Sequence, residues 1–321
     1  NHGNSGADFS DGDYDGLVKM ARYLAQNGVT SFAPASMTLP YDALEAAYKT
    51  AVQFKNEPPF GCARLMGIQM EGPFFSEKKK GAQNGAYLRD PDFAAFKRLY
   101  DVSGGLIRIA DVAAELPGAV EFAEKASKLC TVSVAHTDSD YDHARAVFDA
   151  GARHLTHLYN AMPAISHRAP GVIPAAVETP GVRAELICDG YHVHPASVRL
   201  AFSMFGGERM CLISDSGRCA GMPEGTQFQL GGQDCWLRNG VAKLADGTIA
   251  CSATNMWTCL TNVISWGVKE EDAVRAATYN PACAIGAEKE VGTIEEGKAA
   301  DFLVCAPDYS TMQVYLAGEK L

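Results

Sequence analysis

The sequence predicts an α/β fold in which parallel β-strands alternate with helices. Short apolar runs typical of buried strands recur between residues 29 and 214, and segments with helical spacing of apolar residues separate them. The length of 321 residues also suits a single barrel of eight β/α units. We therefore predict a (β/α)8 barrel, which needs one strand more than the runs supply, with an open doubly wound sheet as the competing fold.

The predicted elements follow one another in a regular order. A first helical stripe places Leu17, Met20, Ala21 and Leu24 on one face, and Gly28 ends it. Nothing in the sequence favours a nucleotide fold, because it has no Gly-x-Gly-x-x-Gly after an early strand and no P-loop. Strands are predicted at 29–33, 64–70, 106–110, 131–135, 154–156, 185–188 and 210–214, with helices beginning near Pro91, Pro117, Asp140 and Pro195.

The two ends of the chain differ from its middle. After residue 285 short alternating runs at 291–294, 300–304 and 313–318 predict a small β domain. We therefore assign residues 1–285 to the barrel and residues 286–321 to part of that domain. The chain opens at Asn1 without a methionine, and we expect a preceding segment to supply the remaining strand.

The composition restricts the class of partner and the compartment. The chain carries 28 Lys and Arg against 38 Asp and Glu, a net charge of −10, which argues against nucleic acid and anionic membranes as partners. No apolar run approaches the ~18 residues that a membrane helix needs. Ten cysteines occur without a Cys-x-x-Cys pair, a pattern that indicates reduced thiols and a cytoplasmic protein.

Ionisable side chains follow four of the predicted strands. Glu71, His136, His157 and Asp215 each come directly after an apolar run. Because the carboxyl ends of barrel strands meet at one face, where barrel enzymes have their active sites, we expect these four side chains to converge. A single histidine is more often a hydrogen-bonded core residue, but four such strand ends together disfavour that interpretation.

These residue types suit metal-dependent hydrolysis. Two imidazoles and a carboxylate are typical ligands of Zn²⁺ or Fe²⁺, and an open position then holds water. The ion lowers the pKa of that water from about 15.7 towards about 7, and a second carboxylate can take its proton. The sequence therefore predicts Glu71, His136 and His157 as metal ligands and Asp215 as the acid/base group.

Longer motifs occur around these residues, in a fixed order. The first seven are Met-Glu-Gly-Pro-Phe at 70–74, Lys-Gly-Ala at 80–82, Ala-His-Thr at 135–137, Thr-His-Leu-Tyr-Asn-Ala-Met-Pro at 156–163, Arg-Ala-Pro-Gly at 168–171, Asp-Gly-Tyr-His-Val at 189–193 and Ile-Ser-Asp at 213–215. Asn-Pro-Ala at 280–282 and Gly-Thr-Ile-Glu-Glu-Gly-Lys-Ala-Ala-Asp at 292–301 complete the order near the C-terminal end. Together these motifs resemble those of the N-acetylglucosamine-6-phosphate deacetylases of the amidohydrolase superfamily.

The resemblance implies a fold and a reaction. It implies an amidohydrolase-type (β/α)8 barrel with a small β-sandwich made from both chain ends. It implies hydrolysis of N-acetylglucosamine 6-phosphate to glucosamine 6-phosphate and acetate, in the catabolism of amino sugars. It also implies a homodimer in which Arg168 reaches the site of the neighbouring subunit.

The resemblance also assigns roles to individual residues. It implies that Glu71, His136 and His157 bind the metal, that Asp215 activates the water, and that His192 contacts the sugar near the scissile amide. The phosphate is expected at the backbone of Asn160 and Ala161 together with Arg168, and Met256 is expected to line the substrate.

The chain departs from the family pattern at three places, of which Ser-Asp-Ser at 214–216, for the usual Thr-Asp-Ala, leaves the acid in place. Gln83 stands where the family usually has a histidine near the substrate carbonyl, so we expect a neutral donor to the substrate there. His2 resembles the end of a His-x-His motif that binds a second metal in some members. One or two ions per subunit are therefore both open.

Two alternatives stay open. A related amidohydrolase could act on N-acetylgalactosamine 6-phosphate or on another N-acyl substrate. A sugar-phosphate-binding protein without catalysis is the alternative outside the enzymes, and the retained Asp215 counts against it.

Overall fold

The computed structural model describes all 321 residues, which form seventeen β-strands and ten α-helices. The helices are α1 (Tyr14–Gln26), α2 (Tyr41–Asn56), α3 (Phe93–Val102), α4 (Ala119–Ala126), α5 (Tyr141–Asp149), α6 (Val172–Glu178), α7 (Pro195–Phe205), α8 (Met256–Ser265), α9 (Glu270–Ala277) and α10 (Tyr279–Ala284). The strands are β1 (Gly3–Asn4), β2 (Ala7–Asp8), β3 (Ser31–Phe32), β4 (Arg64–Leu65), β5 (Ile68–Met70), β6 (Ile107–Val112), β7 (Thr131–Val134), β8 (His154–Leu155), β9 (Arg183–Ile187), β10 (Met210–Ile213), β11 (Gln227–Leu230), β12 (Gln233–Arg238), β13 (Val241–Leu244), β14 (Ile249–Ser252), β15 (Phe302–Cys305), β16 (Met312–Leu316) and β17 (Glu319–Lys320).

A six-stranded sheet of parallel neighbours forms the centre of the molecule. Its order, β10-β9-β8-β7-β6-β5, follows the chain without a reversal, as the strands of a barrel do and those of a doubly wound sheet do not. The parallel pair β3 and β4 continues it, because Ala35 forms a parallel bridge to Gln69. Since β4 and β5 occupy one strand position, the predicted strand 64–70 is interrupted at Met66 and Gly67.

The helices cover the outside of this sheet through apolar faces. In α1 the predicted stripe of Leu17, Met20, Ala21 and Leu24 is buried, and the Asp13 side chain caps the helix by accepting from the Gly16 amide. One cluster of 59 buried residues joins these faces to the strands. The helix beginnings predicted near prolines and Asp140 are confirmed at α3, α4, α5 and α7.

A four-stranded antiparallel sheet, β11 to β14, was not predicted from the sequence. It lies in the chain between β10 and α8 and has a small core of its own, which includes Phe228, Leu230 and Leu237. Its β11–β12 turn contacts the loop after β5, where Gln233 donates to the carbonyl of Ala82 and Asn84 donates to that of Gly231.

The C-terminal residues form a three-stranded antiparallel sheet, β15 to β17. Two of the predicted runs are strands in the structure, but the prediction of a strand at 291–294 is wrong. Gly292 there has a φ of +96°, and a side chain on it would lie 3.0 Å from the Cβ of Ala282. The segment therefore packs closely on α10 in a conformation that a strand does not use. The domain boundary at residue 285 stays a prediction.

Candidate metal centre

The predicted strand-end residues lie together at the carboxyl ends of the parallel strands. Glu71 Oε1, His136 Nε2 and His157 Nε2 belong to one group of donor atoms within 4.8 Å of one another. A second group joins Glu71 to His2 and Asp215. Three of these residues, Glu71, His157 and Asp215, line a cavity of about 1230 Å³ that runs beside β3 and β10.

His2 enters this centre through the backbone of its own segment. The amide of Ala35 donates to the carbonyl of Asn1, and the amide of His2 donates to the carbonyl of Ser216. The first residues therefore connect the ends of β3 and β10. This connection places His2 Nε2 3.4 Å from Glu71 Oε2 and 3.3 Å from Asp215 Oδ1.

All three imidazoles are oriented by backbone carbonyl groups. Nδ1 lies 3.2 Å from the carbonyl of Ala35 in His2, 2.8 Å from that of Lys79 in His136, and 3.2 Å from that of Asn160 in His157. Because a carbonyl only accepts, each Nδ1 carries the proton and each Nε2 directs a lone pair into the centre. Metal-binding histidines are oriented in this way.

The donor set therefore fits a divalent cation. The Nε2 atoms of His136 and His157 lie 3.1 Å apart, so two neutral rings would bring their lone pairs face to face. Glu71 Oε1 lies 3.3 Å from the first ring and 3.9 Å from the second. A positive ion shared by these three atoms removes the repulsion, and two nitrogens with a carboxylate are ligands that Zn²⁺ or Fe²⁺ accepts.

The two carboxylates give the centre a negative charge that favours a bound cation or proton. Burial would lower the pKa of His2, but the carboxylates of Glu71 and Asp215 raise it to about 9. Burial opposes ionisation of Asp215, yet the hydrogen bond and charge of His2 hold its pKa well below the usual range. Burial and the neighbouring His136 lower the pKa of His157. The cluster attracts a cation, and in its absence a proton on His2 takes that role.

The backbone is strained at three of the site residues. His136, His157 and Asp215 have φ values of 43°, 31° and 45°, in the left-handed region that residues other than glycine rarely adopt. Such a conformation costs about 1–2 kcal/mol per residue. Each of these residues follows a parallel strand. The left-handed backbone turns its side chain away from the strand direction and towards the centre.

Gln83 is oriented by its two partners. Its Oε1 accepts from the backbone amide of Thr38 at 2.8 Å, so its NH₂ group faces Glu71 and donates to Oε1 at 3.0 Å. The close approach of Thr38 also requires glycine at position 72, where a Cβ would lie 2.1 Å from the Thr38 hydroxyl. The amide that was predicted to face substrate is thus bonded inside the protein, to Glu71.

The remaining predicted residues lie around the same mouth. His192 follows β9, the strand between those that carry His157 and Asp215, and Met256 lines the cavity at the start of α8. In the turn after His157, the backbone N–H of Asn160 donates to the carbonyl of His157. The backbone N–H of Ala161 has no hydrogen-bond partner within the chain. Arg168 is exposed and makes no ion pair or hydrogen bond within the chain.

Three supporting residues were missed in the sequence. Phe75 stacks on the His136 ring with centroids 4.4 Å apart, and Glu185 accepts from the His157 amide at 3.4 Å while contacting His154. Asp189 bonds His192. Only Asp189 had a signal in the sequence, because it lies three residues before His192 in one motif. The others depend on contacts between distant segments.

Comparison with known proteins identifies what the chain resembles. Residues 2–321 match the model of the amidohydrolase family. An N-acetylglucosamine-6-phosphate deacetylase of Bacillus subtilis is 35% identical over 99% of this chain and 81% of its own length. An N-acetylgalactosamine-6-phosphate deacetylase of Escherichia coli O157:H7 is 32% identical over 99% of this chain and 84% of its own.

Solved structures give the same result. An N-acetyl-D-glucosamine-6-phosphate deacetylase mutant of Mycobacterium smegmatis, in complex with N-acetyl-D-glucosamine-6-phosphate, superposes with a TM-score of 0.93. It is 32% identical to this chain and covers 99% of it and 84% of the other chain. The predicted barrel with a small β domain is confirmed.

We expect Zn²⁺ to stabilise the metal-free protein against heat through Glu71. A ligand at a hundred times its Kd stabilises the folded state by about 2.7 kcal/mol, which raises the midpoint of thermal unfolding by several degrees. Glu71→Gln should abolish the increase. Glu77→Gln, which removes an exposed carboxylate six residues further along, should retain it. An equal increase in both variants, measured by calorimetry after chelation, would contradict the assignment.

Proposed function

The chain belongs to the amidohydrolase family, and from that premise we propose that it is a metal-dependent deacetylase that hydrolyses N-acetylglucosamine 6-phosphate to glucosamine 6-phosphate and acetate. The observation that carries this proposal is the convergence of Glu71, His136, His157 and Asp215 at one end of the barrel. Relatives of that activity align with nearly the whole chain.

Glu71, His136 and His157 would hold the ion, Zn²⁺ or Fe²⁺. When bound, a divalent ion polarises the acetyl carbonyl and makes a neighbouring water acidic. The second oxygen of Glu71, with His2 and Asp215, offers donors for a second ion. The division of the Glu71 carboxylate between two donor groups supports two ions per subunit.

Asp215 is proposed as the group that moves protons. Its side chain is largely buried within the centre, and an ionised carboxylate at this position can accept a proton from the attacking water. It then gives that proton to the amide nitrogen as the C–N bond breaks, leaving the free amine and acetate. Its backbone is fixed because its carbonyl accepts from the Ser252 amide at 2.9 Å.

The substrate is proposed to extend from the metal centre along the barrel mouth. His192 contacts the sugar beside the scissile amide, and Met256 lines the sugar. The free amide of Ala161, in the turn with Asn160, and the guanidinium of Arg168 hold the phosphate. Gln83 is proposed to act on the substrate indirectly, because its hydrogen bond orients the Glu71 carboxylate.

A homodimer is proposed because the guanidinium of Arg168 has no partner in its own chain. Its side chain is exposed and bonded to no group of this chain. In a dimer this guanidinium would complete the site of the neighbouring subunit.

Location in the cytoplasm is supported by the thiols. All ten cysteines are free, and seven of them are buried. No helix has both the length and the apolar character needed to cross a bilayer. A location in the cytoplasm suits an enzyme that acts on phosphorylated amino sugars.

A second candidate substrate is N-acetylgalactosamine 6-phosphate. It is favoured by the relative of that name, which is 32% identical to the chain. The two sugars differ only in the configuration of one hydroxyl, which the metal centre does not contact in this mechanism. An N-acyl amino acid would instead need a binding group for its carboxylate.

We expect the metal-loaded protein to release acetate from N-acetylglucosamine 6-phosphate faster than from its galacto epimer or from N-acetylglucosamine. The phosphate-binding groups can contact only the two phosphorylated sugars, so N-acetylglucosamine should have the lowest kcat/KM. A higher kcat/KM for the galacto epimer would transfer the assignment to that substrate. No acetate from any of them would contradict the proposed reaction.

The control for this assay is Asp215→Asn. It should keep the ion held by Glu71, His136 and His157 but lose about 10²- to 10⁴-fold in kcat, the usual contribution of a general acid/base group. Elemental analysis of the same preparation separates loss of the ion from loss of proton transfer. Full activity in this variant would overturn the role of Asp215.

Arg168→Ala should raise KM about 10- to 100-fold, because it removes a charged hydrogen bond to the phosphate. Arg199→Ala, on an exposed face of α7, is the matched control and should leave KM unchanged. If Arg168 acts across a dimer, co-expression of Arg168→Ala with Asp215→Asn restores activity, since one site of the mixed dimer is complete. No restoration would place Arg168 in its own subunit.

A further inference from the structure

We propose that Asp189 is a positioning residue that determines which nitrogen of His192 carries the proton, and so which atom of that ring meets the substrate. The proposal rests on the proposed function, which places His192 beside the scissile amide. It concerns a residue that has no contact with the metal ligands.

The two residues form a pair at the carboxyl end of β9. Asp189 Oδ2 lies 2.6 Å from His192 Nδ1, and the side chains of Asp189 and His192 are only 2% and 6% exposed. Because β9 lies between β8 and β10, the pair is placed between the strand ends that carry His157 and Asp215. The contact is shielded from water, so it is stronger than a surface pair.

The carboxylate is held in place by the backbone. Asp189 Oδ1 accepts from the amides of Tyr191 at 2.8 Å and His192 at 2.9 Å. Burial opposes ionisation of Asp189, but the hydrogen bonds from His192 and from these amides keep its pKa below the usual range. The neighbouring thiols of Cys188 and Cys259 are neutral, because burial raises their pKa.

This arrangement fixes the tautomer of the imidazole. An ionised carboxylate only accepts, so His192 Nδ1 must carry a proton. Nε2 makes no hydrogen bond within the protein and is the atom left for the substrate. In the neutral ring Nε2 is therefore an acceptor, and it becomes a donor only when the ring is cationic.

Asp189→Asn should reverse this pattern with little change in shape. The two backbone amides would still require an acceptor, so the amide oxygen would face them and its NH₂ group would face His192 Nδ1. Nδ1 would then have to accept, and the proton of the neutral ring would move to Nε2. The same logic explains why an amide in place of a carboxylate beside a catalytic histidine gives the wrong tautomer.

The direct test is nitrogen NMR of His192 in the metal-loaded protein, at a pH where the ring is neutral. The wild type should show the Nδ1–H tautomer, and Asp189→Asn should show the Nε2–H tautomer. The His192→Asn variant identifies the resonance. An Nε2–H tautomer in the wild type, or an unchanged tautomer in Asp189→Asn, would overturn the proposal.

Kinetics show whether the tautomer matters for turnover. Asp189→Asn should lower kcat/KM about 10- to 100-fold, the cost of one hydrogen bond to the substrate. In a His192→Asn background the same change should have almost no further effect, because the two residues act as one unit. Additive losses would contradict the proposal. If no sugar phosphate is hydrolysed at all, the proposed function fails, whereas the NMR result still decides the role of Asp189.

Discussion

The carboxylate of Glu71 is the group on which the geometry of the site depends. One of its oxygens faces His136 and His157, and the other faces His2. A third contact, from Gln83, fixes the direction of the carboxylate and ties it to the backbone at Thr38. Two buried carboxylates and three nitrogen lone pairs point into one small volume, and without a cation this arrangement has a high free energy. A bound ion therefore stabilises the site.

The barrel provides this convergence through its strand ends. A parallel strand directs its carboxyl end to one face of the sheet, and the residue that follows can then turn inward if its backbone adopts a left-handed conformation. His136, His157 and Asp215 all do so. Carbonyl groups of the adjoining loops fix the rings, and the antiparallel sheet β11–β14 contacts the loop that carries Gln83. Rigid strands thus set the positions, and loops set the orientations.

Much of the fold and of the site could be predicted from local patterns, and the failures have a physical reason. Strand ends such as Glu71 and Asp215 were visible because an apolar run precedes each of them, and helical stripes such as that of Leu17 repeat with a clear period. The sheet β11–β14 was missed because half of the residues in β11 and β12 are polar, so neither segment is the apolar run that marks a buried strand. The partner of Gln83 was missed because its amide is oriented by Thr38, a residue distant in sequence.

We propose that Glu71 and the imidazoles of His136 and His157 bind one ion, the two rings through Nε2. Anomalous diffraction from crystals of the Zn²⁺-loaded protein would locate that ion. We expect a peak about 2.0–2.2 Å from an oxygen of Glu71 and from Nε2 of His136 and His157. A peak coordinated through Nδ1 of either ring, or a Zn²⁺ ion bound elsewhere with Glu71 free, would contradict it.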